Sequence, residues 1–208
     1  MKAIQQTGYG NSDVLQIVDL DRPVPDDDEV LVRMHAAGLH AGDAYILAGS
    51  PYIVRFTVGF PKPKNYTPGY DIAGVVEGVG RNVTRFAPGQ EVFGGCEGGC
   101  AELVCVKESH LVPKPDSVRF VEAGCVPTSA LAALHGLRDA GKLRSDQQVL
   151  INGASGGVGT FAIQIAKAFG AEVTAVCGTR NLELVRSLGA DHAIDYTHDD
   201  FTEGDTKY

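Results

Sequence analysis

The residues best suited to chemistry form a glycine-rich segment, residues 149–159 (VLINGASGGVG). The apolar run at residues 148–152 predicts a buried strand, and apolar positions at helical spacing predict a helix over residues 156–169. Glycines at a strand-to-helix turn let the backbone approach a pyrophosphate, which the helix amides then face from the positive end of the helix dipole. The segment therefore predicts nucleotide binding. A turn chosen for close helix–strand packing is the alternative, but it explains one or two of the glycines and not four.

The end of the next predicted strand, residues 172–177, distinguishes between the possible cofactors. Sites that prefer NADH carry an Asp or Glu about 20 residues after the glycine motif, where it binds the ribose hydroxyls. This chain instead has Gly178, Thr179 and Arg180, with no acid. A guanidinium can bind a 2′-phosphate through charge-assisted hydrogen bonds. The segment thus favours NADPH over NADH, unless Arg180 is a solvated loop arginine.

The elements around these residues differ between the two parts of the chain. Before residue 123, short apolar runs alternate with Gly and Pro, which is typical of an irregular antiparallel barrel. After it, strand and helix patterns alternate as in a doubly wound parallel sheet. We therefore predict an α/β fold with domains 1–122 and 123–208. The second domain contains only the first half of a six-stranded nucleotide-binding fold, so we expect it to be truncated.

The element bounds follow from the same patterns. The barrel strands are predicted at residues 30–32, 72–79, 83–86, 91–93 and 101–106. The strands of the second domain are predicted at 148–152, 172–177 and 193–196, with helices at 156–169 and 181–188. Residues 121–137 are predicted to form two helical pieces that meet at Pro127, because proline disrupts an interior helix.

Composition excludes several classes of partner. A net charge of −8, from 18 basic and 26 acidic residues, argues against nucleic-acid binding. No apolar run reaches the 18 residues that a transmembrane helix needs, and the N-terminus has no secretory signal. The five cysteines are an odd number without disulfide-like spacing, which fits a reducing compartment. We therefore expect a cytoplasmic protein with no nucleic-acid partner and no membrane partner.

Motifs in both parts of the chain carry a family resemblance. Residues 154–159 (ASGGVG), together with Asp146, Gln147, Leu150, Gln164 and Lys167, resemble the quinone oxidoreductase, or zeta-crystallin-like, signature of the medium-chain dehydrogenase/reductase family. Residues 68–74 (PGYDIAG) and 86–93 (FAPGQEVF) resemble that family's GroES-like barrel. The resemblance covers essentially the whole chain and about the first two-thirds of a family member. It implies a GroES-like domain followed by a partial Rossmann domain.

The resemblance also implies an activity and its cofactor-binding residues. Members similar to this chain transfer a hydride from NADPH to quinones or α,β-unsaturated carbonyls, and a full-length chain is expected to form a homodimer. The matching positions are, for the pyrophosphate loop, Ser155, Gly156, Gly157 and Val158; for the 2′-phosphate region, Gly178 and Arg180; near the adenosine phosphate, Tyr196; and at the nicotinamide, Thr128. Leu182 replaces a lysine that some members carry, and Tyr196 is equally well explained as an aromatic packed at a strand end.

The resemblance predicts no metal site. Zinc-dependent relatives use a Cys, a His-Glu pair and a later Cys, where this chain has His40, Tyr70-Asp71 and Thr128. One suitable ligand does not hold a catalytic zinc, which needs three. Cys96 and Cys100 have no second cysteine pair, so a structural zinc is not expected either. Without a Lewis acid, a conjugated quinone or enone accepts hydride more readily than a simple carbonyl.

Tyr52 and His40 are the candidate catalytic residues, because a phenol or imidazole can hydrogen-bond a carbonyl oxygen or donate a proton. For each of them, shaping or packing the site is the stronger alternative. We predict a zinc-free, NADPH-dependent oxidoreductase that transfers hydride to a quinone or an α,β-unsaturated carbonyl. The alternatives are a non-catalytic or truncated nucleotide-binding protein and, third, an alcohol dehydrogenase, whose zinc-dependent form Tyr70 and Thr128 oppose.

Overall fold

The computed structural model describes residues 1–64 and 66–202, and the chain divides into two compact units, before and after the Thr128–Ser129 bond. The domain boundary expected after residue 122 stays a prediction. Among the described residues, none of the helices combines the length and apolar character needed to cross a membrane.

Antiparallel strands build the first unit. A hairpin-like pair consists of β1 (Lys2–Gln6) and β2 (Leu15–Asp19). The other strands are β3 (Glu29–Gly38), β4 (Asp71–Val79), β5 (Glu91–Gly95), β6 (Leu103–Lys107) and β7 (Leu111–Pro113), and they form one sheet in the order β6-β3-β4-β5-β7. Val30 and Val32 of β3 are fully buried and belong to the same apolar cluster as Ile72 and Val92. Burial of these facing positions on neighbouring strands fixes the strand register.

Two helices between β3 and β4 are absent from the sequence-based prediction. They are α1 (Ala41–Ala48) and α2 (Val54–Val58). The carboxylate of Asp43, in the first turn of α1, accepts a hydrogen bond from the backbone amide of His40, and Gly49 ends the helix in the left-handed conformation, with φ of 59°. An acidic residue three positions after the N-cap and a glycine after the last turn are helix signals. These two residues would have predicted α1.

The strand predicted over residues 83–86 is wrong. The amides of Thr84 and Arg85 both donate to the Glu108 carboxylate, so a side chain takes the place of a neighbouring strand. The other predicted barrel strands are present, although their bounds differ, and β3 continues well beyond residue 32.

The second part of the chain forms the parallel sheet that the sequence predicts. After α3 (Phe120–Ala123) come α4 (Pro127–Leu134), which continues as a π-helical turn to Ala140, then β8 (Gln148–Asn152), α5 (Gly157–Ala168), β9 (Glu172–Cys177), α6 (Leu182–Ser187) and β10 (His192–Asp195). The sheet order is β10-β9-β8, all parallel. Pro127 begins α4, a position where its missing N–H costs nothing. The fold class, a GroES-like domain and a Rossmann-like parallel sheet, is confirmed.

The helix that follows the glycine-rich turn packs closely on the turn itself. A Cβ atom at Gly159 would lie 2.7 Å from backbone atoms of Ala154, closer than real carbon atoms approach. Ala154 and Ile163 are both fully buried in the cluster beneath. Glycine at position 159 therefore sets the distance between α5 and the end of β8.

We predict that Gly159→Ala destabilises the protein by about 2–3 kcal/mol, because the added methyl group forces α5 away from the turn. Urea unfolding measures the change. Gly136→Ala is the matched control, since a Cβ atom there meets nothing within 4 Å, and it should leave stability unchanged or raise it slightly. Equal stability of G159A and the wild type would contradict the packing described here.

Candidate functional site

The turn between β8 and α5 presents backbone amides at the carboxyl end of the sheet. Gly153 has a φ of 69°, and the amide of Gly156 donates to the Gly153 carbonyl at 3.0 Å. The N-cap residue Gly156 offers no side-chain hydrogen bond, and the first intrahelical bond is the one from the Thr160 amide to the Gly156 carbonyl. The amides of the first helical turn therefore have no acceptor within the helix.

These groups fit an anion. Positions 156 and 157 are glycines without side chains, so a ligand could reach the backbone there. A Cβ atom at position 157 would lie 3.1 Å from the Ser129 hydroxyl, so a larger residue fits poorly. The amides of the first helical turn and the positive end of the α5 dipole both favour a phosphate. The predicted loop residues Ser155, Gly156, Gly157 and Val158 thus lie together at one strand-to-helix turn.

The end of β9 lies beside this turn and carries the predicted cation. The side-chain amide of Asn181 donates to the Ser155 hydroxyl at 3.1 Å, which joins the two loops. Arg180 is exposed, and none of the ion pairs among residues 129–202 includes it. Its guanidinium is therefore available to an anionic ligand. Asn181 was missed in the sequence analysis, and its position directly after Arg180 is the signal that could have indicated it.

Tyr196 lies at the same edge of the sheet. A Cβ atom at Gly178 would lie 3.2 Å from the Tyr196 hydroxyl, so the phenol covers the glycine that follows β9. The Tyr196 side chain is nevertheless mostly exposed. Contact with Gly178 agrees with the packing interpretation, and the exposed remainder leaves the phenol accessible to a ligand.

One carboxylate at this edge of the sheet already has hydrogen-bond partners within the protein. Asp195, the last residue of β10, is buried and accepts hydrogen bonds from the amide and hydroxyl of Thr197 at 3.0 and 2.7 Å. Hydrogen bonds from Thr179 and Thr197 lower the pKa of Asp195 to about 2. The two threonine hydroxyls are 3.0 Å apart, so this network ties β10 to the loop after β9. The sequence analysis missed it because the three residues are not contiguous.

In the first unit, His40 and a buried carboxylate form a pair. Asp43 is buried, accepts from the amides of His40 and Gly69 at 2.9 and 3.1 Å, and lies 3.4 Å from the His40 Nδ1 atom. The opposite ring nitrogen, Nε2, is buried and has no hydrogen-bond partner among the described residues. Asp43 thus orients the ring, and Nε2 can donate to or accept from a ligand.

An aromatic group and a small cavity surround this pair. The His40 ring stacks on Tyr70, with ring centroids 5.7 Å apart. Burial, together with a hydrogen bond to Tyr70, raises the pKa of Tyr66 above its ordinary value, so Tyr66 remains a neutral phenol. A mostly apolar cavity of about 220 Å³ is lined by His40 and Asp43 together with Gln6, Leu15, Leu47 and Pro68. This is room for a small planar group.

Thr128 and Tyr52 have other partners. The Thr128 hydroxyl donates to the buried Asp71 carboxylate at 2.6 Å, and its amide donates to the same group. Tyr52 is 71% exposed, and its ring lies 4.4 Å from the Arg55 guanidinium. The structure thus gives His40 a buried, carboxylate-backed environment and gives Tyr52 a place on the surface.

The described residues offer no cluster of metal ligands. Within residues 1–64 and 66–202, no three His, Cys, Asp or Glu side chains are grouped so that they could hold a metal ion. Burial, with the nearby Glu97 and Asp71, raises the pKa of Cys96 to about 12.

Comparisons with known proteins agree with this architecture. The alcohol dehydrogenase GroES-like domain matches residues 26–116, and the zinc-binding dehydrogenase domain matches residues 157–207. The chain is 37% identical to a chloroplastic quinone-oxidoreductase homolog of Spinacia oleracea, over 94% of this chain and 61% of that protein. It is 38% identical to the 2-methylene-furan-3-one reductase of Solanum lycopersicum, over the whole chain and 55% of that protein.

A solved structure shows the same fold. The Escherichia coli quinone oxidoreductase in complex with NADPH superposes with a TM-score of 0.84 and 26% identity, over 96% of this chain and 60% of the other. The chain thus spans little more than half the length of these relatives.

We predict that Asp195→Asn lowers the Tm at neutral pH, because the Asp195 carboxylate is stabilised by folding. A carboxylate whose pKa falls on folding stabilises the protein above its unfolded pKa and loses this effect as the pH falls towards the folded value. The difference in Tm between wild type and D195N should therefore shrink between pH 3.8 and about 2. Asp116→Asn, in an exposed loop, is the control. A difference that does not vary with pH would contradict the hydrogen-bond network.

Proposed function

Because the chain belongs to the medium-chain dehydrogenase/reductase family, we propose that it acts as an NADPH-dependent oxidoreductase that reduces quinones or α,β-unsaturated carbonyls without zinc. One observation carries the proposal: an uncapped glycine-rich helix start lies beside the exposed Arg180, which forms no ion pair with the residues that the structure describes, and no acid follows β9 at this point. The names of the relatives, which include quinone oxidoreductases and enone-type reductases, support the acceptor class.

The cofactor-binding residues have distinct roles in this proposal. The amides of the first α5 turn, with Ser155, bind the pyrophosphate, and Asn181 holds the Ser155 hydroxyl in place. Arg180 binds the 2′-phosphate that distinguishes NADPH from NADH, and Tyr196 and Gly178 border the adenosine side. Thr128 is assigned to the nicotinamide through its methyl group, because Asp71 holds both its hydroxyl and its backbone amide. When bound, NADPH supplies a hydride to the acceptor.

His40 is the residue that we propose for proton delivery. Reduction of an enone or a quinone consumes one hydride and one proton, and charge develops on the acceptor oxygen as the hydride arrives. The Nε2 atom of His40 has no partner among the described residues, and Asp43 favours a hydrogen on the opposite nitrogen. With a hydrogen on both ring nitrogens, His40 would donate a hydrogen bond to the oxygen and then its proton. Tyr52 is the alternative donor, although its ring lies against Arg55.

The donor groups at the remaining positions support the zinc-free assignment. Asp71 accepts three hydrogen bonds from Thr128, so it is not a ready zinc ligand, and Tyr70 and Thr128 are not residue types that zinc prefers. A homodimer of the full-length protein and a cytoplasmic location remain part of the proposal. A nucleotide-binding protein without catalysis is the second candidate function, and the acceptor assay below distinguishes the two.

We predict that the protein oxidises NADPH in the presence of a quinone or an enone, and that a zinc chelator does not change the rate. Arg180→Ala should raise the KM for NADPH by about 10–100-fold and leave the KM for NADH nearly unchanged, since a charge-assisted bond to phosphate is lost. Arg144→Ala removes an exposed guanidinium elsewhere in the same unit and is the matched control.

Three outcomes decide between the candidates. NADPH binding without turnover of any acceptor would indicate the non-catalytic function. Turnover of alcohols that the chelator abolishes would indicate an alcohol dehydrogenase. An R180A protein that keeps its NADPH preference would contradict the role of Arg180.

We predict that His40→Gln lowers kcat/KM for the acceptor by about 100-fold, because the proton donor is lost. Tyr52→Phe should lower it less than about threefold. Initial rates at saturating NADPH measure both values, and His135→Gln, which alters an exposed histidine, is the control. A large loss of kcat/KM in Y52F with little change in H40Q would indicate that Tyr52, and not His40, is the proton donor.

A further inference from the structure

A group of large apolar side chains is exposed on one short segment of the first unit. Tyr52, Ile53, Phe56 and Phe60 are 65–78% exposed, and all four lie within nine residues on and around α2. The rings of Phe56 and Phe60 stack, with centroids 6.1 Å apart and planes 9° apart. Single exposed apolar residues are common on soluble proteins, whereas a continuous group of this kind marks a surface that binds something.

Three cations accompany these side chains. The Arg55 guanidinium lies 4.5 and 4.4 Å from the ring centroids of Tyr9 and Tyr52, and its Nε atom donates to the Gly49 carbonyl at 2.9 Å. Lys62 and Lys64 are exposed, and no ion pair joins either of them to a described residue. We call residues 52–64 the aromatic–basic surface.

The segment between Asp43 and Asp71 differs in charge from the rest of the chain. No Asp or Glu occurs between Asp43 and Asp71, although one residue in eight of the whole chain is acidic. Arg55, Lys62 and Lys64 are the only charged residues in that interval. A chain with a net charge of −8 thus carries a locally positive, aromatic segment.

We propose that the aromatic–basic surface docks the protein on an anionic lipid bilayer. Tyr and Phe rings insert at the headgroup level, where their apolar faces leave water, and flanking Lys and Arg residues pair with anionic headgroups. Charge complementarity favours this occupant, because the cations have no acidic neighbour in the segment. This proposal differs from the expectation of no membrane partner. That expectation rested on the lack of an apolar run long enough for a transmembrane helix.

Other occupants fit less well. The cores of protein–protein interfaces are depleted of lysine, whereas Lys62 and Lys64 adjoin the apolar group directly. Single-stranded nucleic acid needs aromatic faces on which bases stack, and here Phe56 and Phe60 stack on each other. Both occupants nevertheless define outcomes that would overturn the proposal.

Co-sedimentation with phospholipid vesicles tests the proposal on the purified protein. We expect binding to vesicles that contain phosphatidylserine, little binding to pure phosphatidylcholine, and weaker binding when salt is raised to about 0.5 M. Lys62→Gln with Lys64→Gln should weaken binding about 25-fold, since each cation near an anionic surface contributes about fivefold. Phe56→Ser with Phe60→Ser should weaken it about tenfold or more.

Matched variants control for folding and for general effects of charge and apolarity. Lys107 and Lys142 are exposed lysines outside the segment, and Ile17 and Val24 are comparably exposed apolar residues. Lys107→Gln with Lys142→Gln, and Ile17→Ser with Val24→Ser, should each bind vesicles like the wild type. Because Phe56, Phe60, Lys62 and Lys64 are all exposed, we expect their variants to fold, and circular dichroism checks this.

Three results would overturn the proposal. The first is no binding of the folded wild type to phosphatidylserine vesicles at low salt. The second is equal loss of binding in the control variants, which would indicate a diffuse charge effect. The third is unchanged vesicle binding in F56S/F60S together with a change in another property. A changed oligomeric state would assign the surface to a second copy of the chain. Lost affinity for a single-stranded oligonucleotide would assign it to nucleic acid.

Discussion

The close contact between α5 and the turn that precedes it is the constraint on which the second unit depends. Gly159 lets the helix approach the Ala154 backbone, and the left-handed Gly153 turns the chain from β8 into the helix. This geometry places the unbonded amides of the first turn at the carboxyl end of the parallel sheet, next to the loop after β9. The Asn181–Ser155 bond and the Asp195–Thr197–Thr179 network then hold the neighbouring loops beside it. The phosphate site of the proposal is thus built by backbone geometry and positioned by side chains that need not contact the ligand.

Two buried carboxylates have a comparable role in the first unit. Asp43 is held by two backbone amides and orients His40, and Asp71 is held by the amide and hydroxyl of Thr128. A buried carboxylate is stable only when its oxygens are hydrogen-bonded, so each of them fixes the segment that donates to it. With these groups engaged, the Nε2 atom of His40 has no hydrogen-bond partner among the described residues and is left for a ligand. The aromatic–basic surface lies on the same unit, and a bilayer would also be a source of lipophilic quinones for the proposed reaction.

The sequence predicts best where one local pattern decides the structure. The bounds of β8 and β9 agree with prediction because buried parallel strands are short apolar runs between turn residues. The residues proposed for the phosphate loop could be named from the sequence because the motif is contiguous, and their role stays a prediction. Prediction fails where distant groups decide. The pattern of residues 83–86 predicts a strand, but the backbone amides of Thr84 and Arg85 donate to the Glu108 carboxylate instead of to a neighbouring strand. The environments of His40 and Asp195 depend on side chains that only the fold brings together, although Asp43 and Gly49 carried a readable helix signal.

Hydrogen–deuterium exchange with and without saturating NADPH tests the central claim most directly, because it reports on the backbone amides that are proposed to bind phosphate. The account predicts that NADPH slows exchange in the segments 155–159 and 178–181, and that NADH at the same occupancy protects the first segment but not the second. Unchanged exchange at 155–159 in the NADPH-saturated protein, or protection confined to other parts of the chain, would contradict it.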